Sequence, residues 1–305
     1  MLINVLMSTF NGEKYVKEQI EAIINQKMVN TTLTIRDDGS IDKTISLVKS
    51  MQEKYPGRIK LFKGENVGYA KSFMILLRLA EENVDYYAFS DQDDLWMKNK
   101  LIVAAKHLNK IENAIALYAS SVYFCDEKLN ILYVNHMNLK KQSLKSDFIR
   151  HSLSGCTMVF TKRLKELAES MVIDKLYPIP SHDFILSSIA FCVGRVYIDP
   201  KSYIYHRRHT NSVTAKANGI IDRVKTEYRV IFKQKNENYV LAKLLLNSEK
   251  ISVCLKNDDR KFLSHVLISK KNFYKRISLI FSRKFTCGIL LCDIETKFKI
   301  LIGNY

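Results

Sequence analysis

Tyr86-Tyr87-Ala88-Phe89-Ser90-Asp91-Gln92-Asp93-Asp94-Leu95-Trp96 is an apolar run that ends in a burst of acid. Three carboxylates within four positions repel one another unless a cation or a set of hydrogen-bond donors compensates them. A hard divalent ion is the usual compensator, because Mg²⁺ binds through one or two carboxylates together with substrate phosphates. The ordinary alternative, an acidic solvated turn, loses ground once the neighbouring segments are read.

Working back towards the start, strand and helix signals alternate. Residues 2–7 form a short apolar run that ends in Ser8-Thr9-Phe10-Asn11-Gly12, and Val16, Ile20, Ile23 and Ile24 then recur at helical spacing. Residues 32–35 predict a second strand, closed by Arg36-Asp37-Asp38-Gly39-Ser40. Asp42 is placed to cap a helix whose buried face is Ile45, Val48 and Met51. A strand over 59–62, a helix over 71–80 and a strand over 86–90 follow. This alternation predicts an α/β fold, a largely parallel sheet with helices on both faces. In such sheets ligands bind beyond the carboxyl ends of the strands. Ser8–Asn11, Asp37–Ser40, the Asn66-Val67-Gly68-Tyr69-Ala70-Lys71 loop and Asp91–Asp94 all fall at such ends, so four segments converge on one rim.

Working forward, the pattern becomes mixed. A helix over 101–108 precedes a strand over 115–123 and a return over 131–134. Ser154-Gly155-Cys156-Thr157 leads into a strand over 158–160. A helix over 182–191 with Ser181 as its cap precedes strands over 195–198 and 203–206. Beyond 216 the signal is helical and amphipathic, with Val240, Leu244 and Leu245 beside Lys243 and Lys250.

The ordered segments Ser8-Thr9-Phe10-Asn11-Gly12, Asp37-Asp38-Gly39-Ser40, Asn66-Val67-Gly68 and Phe89–Trp96 carry a resemblance. The chain resembles an inverting family 2 glycosyltransferase of the GT-A fold, and within it the bacterial rhamnosyltransferase-like branch that builds surface polysaccharides. The resemblance spans roughly residues 2–215. It implies a nucleotide-sugar-binding half over 1–100, an acceptor-binding half over 101–215, and a basic helical C-terminal region over 216–305 outside it.

Residue by residue, the resemblance implies that Thr9 and Phe10 touch the nucleobase and that Asp38 or Asp37 hydrogen-bonds it. The bland reading of the two acids is an Asx-type turn. Asn66 and Gly68 would let the backbone approach the nucleoside, and Lys71 would reach a phosphate or simply be solvated. Asp91 would contact the ribose and Asp93 a Mg²⁺ or Mn²⁺ ion, with Asp94 supporting that shell or the acceptor side. Trp96 would form a sugar platform or, as large aromatics more often do, fill the core. Displacing a nucleoside diphosphate from an anomeric carbon requires a base for the attacking hydroxyl and positive charge for the leaving phosphates. Asp183 of Ser181-His182-Asp183 resembles the family's base, after an acceptor loop at Gly155-Cys156. Arg207-Arg208-His209-Thr210-Asn211 resembles a late segment in which Arg207 and His209 grip diphosphate or metal. His206 and Arg208 flank it unusually.

The chain has 305 residues and a net charge of +17. Residues 216–305 hold 19 Lys/Arg against 8 Asp/Glu, so +11 of the surplus lies there. Such a surface seeks phosphates. Lys270, Lys271, Lys275 and Arg276 with Phe273, Tyr274, Ile277 and Leu279 would suit an anionic membrane surface, or else the solvated face of a packed appendage. Six cysteines without C-x-x-C pairs predict reduced thiols and no zinc site. Residues 1–8 do not read as a signal peptide, and residues 285–292 are too short to span a bilayer. The expectation is a cytoplasmic enzyme at the inner face of the membrane. It would move a sugar, rhamnose first, from a TDP or UDP donor to a lipid-linked oligosaccharide. A nucleotidyltransferase shares paired acids but needs a basic Gly-rich loop where Thr9-Phe10-Asn11-Gly12 stands. A nucleic-acid binder is disfavoured by the acid at the sheet rim.

Overall fold

The computed structural model describes residues 1–110, 114–135, 142–171, 173, 178–208, 237–282 and 285–305. The first half is a parallel βα array. β1 (Leu2–Thr9) pairs with β2 (Asn30–Asp37) on one side and β4 (Tyr86–Ser90) on the other, and β3 (Ile59–Lys63) lies outside β2. The crossovers are α1 (Val16–Ile24), α2 (Thr44–Lys54) and α3 (Tyr69–Leu79). Asp42 accepts the N–H of Thr44, the first residue of α2, at 2.9 Å.

The second half is mixed. β8 (Val159–Thr161) runs antiparallel between β4 and β6 (Ala116–Cys125). β9 (Arg195–Arg207) pairs parallel with β6, β7 (Ile131–Asn135) pairs antiparallel with β6, and β5 (Leu95–Trp96) pairs antiparallel with β9. Among the described residues the order is β3-β2-β1-β4-β8-β6-β9-β5, with β7 on β6. The two strands expected over 195–198 and 203–206 are one strand, β9. Pro200 supplies no ladder donor, and Asp199 bonds the Lys201 N–H at 2.9 Å, so the strand shifts register there without ending. Helices α4 (Lys100–Leu108), α5 (Leu144–Ile149), α6 (Lys162–Glu169) and α7 (His182–Val193) complete this half.

Strand alternation divides the core. Ile3, Val5 and Met7 of β1, Tyr86 and Ala88 of β4, and Ala116 and Tyr118 of β6 face α1, α2 and α4. Leu6, Tyr87, Phe89, Leu117 and Phe160 face the other way, onto α3, α6 and α7. The C-terminal helices α8 (Glu237–Asn247), α9 (Glu249–Ser252), α10 (Asn257–Ser269), α11 (Phe273–Ile280) and α12 (Leu290–Ile302) join this second core. Phe262 of α10 meets the Phe148 ring of α5 edge-on at 5.4 Å. No helix among the described residues is long and apolar enough to cross a membrane.

Candidate active site

The loops after β1, β2, β3 and β4 open on one cleft of about 1040 Å³, closed on its far side by the 154–156 turn and the start of α7. Of the residues expected in a site, Phe10, Asp38, Asn66, Gly68, Asp91, Asp93, Gly155, Cys156 and Asp183 line it. His209 lies outside the described residues.

Asp38 organises the nucleotide side. Its carboxylate is ion-paired with Arg36 and accepts the N–H groups of Val67 at 3.0 Å and Gly68 at 2.9 Å. Gly68 begins α3 at φ +81°, a conformation that disfavours any residue with a Cβ. Asp37 does not share this position. It accepts from Thr9 Oγ1 at 2.9 Å and from the Ser40 backbone and hydroxyl at 2.8 and 2.6 Å, the Asx-type turn considered above. Thr9 is buried beside it, and its carbonyl accepts the Asp38 N–H at 2.8 Å. Of the two acids, Asp38 lines the cleft and Asp37 does not. Lys71, half-buried in the first turn of α3, is not part of the lining.

Gln92, which the sequence reading passed over inside the acidic motif, clamps the β1 loop. Its amide bonds both the N–H and the carbonyl of Phe10, at 3.0 and 2.9 Å. Gly12 leaves room for this clamp, since a Cβ there would fall 2.1 Å from the Gln92 Oε1 and displace the amide.

Ligand atoms of Asp91, Asp94, Cys156 and His206 all lie within 4.8 Å of one another. Asp94 is wholly buried. One of its oxygens meets His206 Nδ1 at 2.8 Å and the other, also buried, has no hydrogen-bond partner. Burial, then Asp94 and Asp93, push the Asp91 carboxyl well above the carboxylate range. Burial opposes charging of His206, but Asp94 raises its affinity for protons on balance. An orphaned buried carboxylate oxygen among acids and an imidazole fits a hard or borderline divalent ion. Asp94 and His206 thus join the cluster for which Asp93 and His209 alone were expected, and Asp94 faces it as the support of that shell would.

Arg207 and Trp96 were expected in the cleft and lie beneath it. The Arg207 guanidinium is buried, donates to the carbonyls of Asp93 and Asp94 at 3.1 and 3.4 Å, and pairs with Glu18 at 2.5 Å. It shapes the acidic loop from below. Trp96 is 3% exposed and its ring lies under Lys100 Nζ at 3.5 Å, a core position.

On the far side, Asp183 Oδ1 accepts the Phe184 N–H at 2.9 Å and lies 3.2 Å from His151 Nε2. Oδ2 accepts the Gly155 N–H at 3.2 Å. Gly155 packs against the His182 ring, where a Cβ would fall 2.5 Å from Nε2. His151 is flanked by a second acid, Asp147, at 3.4 Å. Burial would strip its proton, but Asp183 and Asp147 push the imidazole up to about 10. Burial would raise Asp183, and the His151 imidazolium instead holds it well below the usual carboxylate range. His182 is stacked on Phe73 at 3.9 Å, and burial pushes it down to about 4, so it is a neutral wall. His151 was missed by sequence reading; its proximity to the Ser154-Gly155 turn was the available signal.

A half-parallel sheet with this rim, an acid–imidazole cluster and a facing carboxylate defines a GT-A glycosyltransferase. Residues 4–170 match the Glycosyl transferase family 2 model, and the chain belongs to that family. It is 33% identical over 215 residues to the dTDP-rhamnosyl transferase RfbG of Shigella flexneri, covering 68% of this chain and 72% of that protein. The minor teichoic acid biosynthesis protein GgaA of Bacillus subtilis is 30% identical over 103 residues, 33% of this chain and 23% of that one. Among solved structures, S. aureus TarS 1–349 in complex with UDP-GlcNAc superposes with a TM-score of 0.62 at 18% identity, covering 93% of this chain and 74% of TarS. A mannosyltransferase from Pyrobaculum calidifontis in complex with GDP-Man and Mn²⁺ gives 0.52 at 15% identity, covering 99% and 85%. These likenesses carry the fold.

Proposed function

We propose that this enzyme transfers a sugar from a TDP- or UDP-type donor, with inversion, to a hydroxyl of a bacterial surface-glycan precursor. Rhamnose is the first sugar to test, supported by the likeness to a dTDP-rhamnosyl transferase. The observation that carries the reading is one cleft joining Asp38 and the Asp91–Asp94 loop to Asp183. Phe10, Asp38, Asn66 and Gly68 hold the nucleoside, with residues 1–100 forming the donor half and 101–215 the acceptor half. Asp91, Asp94 and His206, with Asp93 beside them, would hold Mg²⁺ or Mn²⁺; when bound, such an ion neutralises charge on the leaving diphosphate.

Asp183 takes the proton. Its Oδ1 accepts the Phe184 N–H and faces the His151 imidazole, and Oδ2, which accepts the Gly155 N–H, has a second lone pair for the acceptor hydroxyl. As that O–H proton passes to Asp183, the acceptor oxygen forms its bond to the anomeric carbon. The bond from that carbon to the diphosphate oxygen breaks, and its electron pair leaves with the nucleotide. A lipid-linked acceptor and attachment to the inner membrane surface complete the proposal, supported by the exposed basic and aromatic face of α11.

The test is Asp183→Asn. Nucleotide-sugar binding, read by thermal shift with Mg²⁺ or Mn²⁺, stays; turnover falls by about 10²–10⁴-fold. Retained turnover would remove Asp183 from the reaction.

A further inference from the structure

Behind the Asp183–His151 pair lies a second cavity of about 280 Å³. Tyr69, His151 and Ser181 belong to the walls of both spaces, so the two adjoin beside the base. One wall of this chamber comes from α5 and α7. The other comes from α8, α12 and the residues after α12, all beyond the 4–170 family match.

The second wall is fastened to the first. Asn238 Nδ2 and the Tyr305 hydroxyl both donate to the Phe148 carbonyl, at 3.2 and 3.1 Å, and Thr296 Oγ1 donates to the Ile149 carbonyl at 3.2 Å. These bonds cap the end of α5, whose last carbonyls have no partner within the helix. The chamber is thus part of the folded architecture and not a gap between loosely apposed parts.

Its chemistry is that of a polyol site. Glu237 supplies an acceptor, Asn238 and Asn304 supply amides, and Phe184 and Tyr69 supply aromatic surface, while Asp147 behind them is already bonded by Ser187 and Ser188. Burial pushes the Glu237 carboxyl up, and His151 and the Ser181 backbone N–H offset this only in part. An anionic ligand would meet Glu237, Asp147 and the nearby Asp183, while Lys299 is already paired with Glu295 at 2.7 Å. A hydrocarbon would set the Glu237 carboxyl and the two amides against apolar surface, at a cost in their solvation. Sugar hydroxyls satisfy both kinds at once, donating to the carboxylate and accepting from the amides, while a pyranose C–H face rests on an aromatic ring.

We propose that the chamber is an acceptor subsite: it holds a neutral pyranose unit of the acceptor next to the hydroxyl that reaches Asp183. The C-terminal helices then serve acceptor recognition as well as the core. This rests on the glycosyltransferase reading above.

The experiment uses the full chain and saturation-transfer NMR with methyl α-rhamnopyranoside and methyl N-acetyl-β-glucosaminide. Nucleotide-sugar binding is followed separately by thermal shift. At least one glycoside receives saturation. Glu237→Gln and Asn238→Leu each weaken its binding by about three- to tenfold, the net effect of one hydrogen bond, and leave the donor shift unchanged. Glu237→Gln is isosteric, which keeps the result independent of folding. Absence of saturation on both glycosides in protein that binds a nucleotide sugar overturns the subsite alone. So does glycoside binding indifferent to both variants. If no nucleotide sugar binds, the transferase reading itself fails, and the assignment to an acceptor falls with it.

Discussion

At the scale of single residues, His151 decides how the proposed base behaves. Its imidazole lies within ion-pair distance of both Asp147 and Asp183, and its folded pKa of about 10 stands above the ordinary 6.5. That sign means its contribution to stability is complete below about pH 6.5 and is lost as pH rises towards 10. Asp183 is shifted the other way, so its contribution is present above about pH 3.8 and is lost as pH falls below that. Both terms overlap in mildly acidic solution. His151→Asn should therefore cost about 3 kcal/mol near pH 6, because it leaves a buried acid uncompensated, and less at pH 9; urea unfolding at the two pH values measures this. The same change releases Asp183 towards higher pKa, so the acid limb of the pH–rate profile moves up, each unit costing about tenfold on that limb. An unmoved limb would show that the pair does not tune the base. The acids themselves were legible from Asp91–Asp94 and Ser181-His182-Asp183, since clustered like charges announce themselves in any sequence. His151 was not, because a lone histidine gains meaning only from the acids that the fold brings around it.

At the scale of elements, the end of β2 and the start of α3 form the rigid frame of the nucleotide side. Arg36 is the keystone: it pairs with Asp38, donates to Ser72 Oγ at 2.9 Å and to the Glu65 carbonyl at 3.0 Å, and both members of the pair are almost wholly buried. Arg36→Met would leave Asp38 as an unpaired buried acid and should destabilise the protein by about 3–5 kcal/mol in chemical denaturation. Lys54→Met, which removes an exposed pair with Glu21, should leave the unfolding midpoint unmoved. Equal effects of the two would refute this view of the frame. The alternating helices and strands up to Ser90 were readable because each strand carries a complete apolar face and each helix a periodic one. The short elements were not. β5 is two residues long and exists through β9, while α5 is a six-residue helix whose ends are closed by Ser143 and by the C-terminal region. In each case tertiary partners do what local pattern cannot. Arg207 lies beneath the cleft for a related reason: sequence gives its place after a strand but not the side of the acidic loop from which it approaches.

At the scale of the whole molecule, the basic C-terminal region has two faces with different duties. Its inner face is core: Leu263, Leu279, Phe285, Ile300 and Tyr305 are buried with α5 and α7. Deleting residues 265–305 would thus open the core, and its effect on membrane binding could not be separated from unfolding. The outer face holds Phe273 at 58%, Tyr274 at 84%, Leu290 at 73% and Leu291 at 78% exposure. Lys271 and Lys275 stand exposed beside the aromatics, whereas Arg276 is turned inward onto the carbonyls of Ser269 and Lys270, each at 2.8 Å. The four cations expected on this helix are therefore not equivalent. Each exposed lysine near an anionic surface contributes about 1 kcal/mol, and the aromatics add apolar area at the headgroup boundary. Flotation with phosphatidylglycerol-containing vesicles should carry the protein upward. Lys271→Gln with Lys275→Gln should weaken that association by about thirtyfold, the equivalent of two such contacts, and added salt should weaken it further. Phe273→Ser with Tyr274→Ser should reduce it even at low salt, and neither pair should alter the melting temperature or the nucleotide-sugar shift, since these side chains touch neither cleft nor core. Flotation that is equal on neutral vesicles, or indifferent to both pairs, would remove the membrane from the account and leave α11 and α12 as a surface for another protein copy.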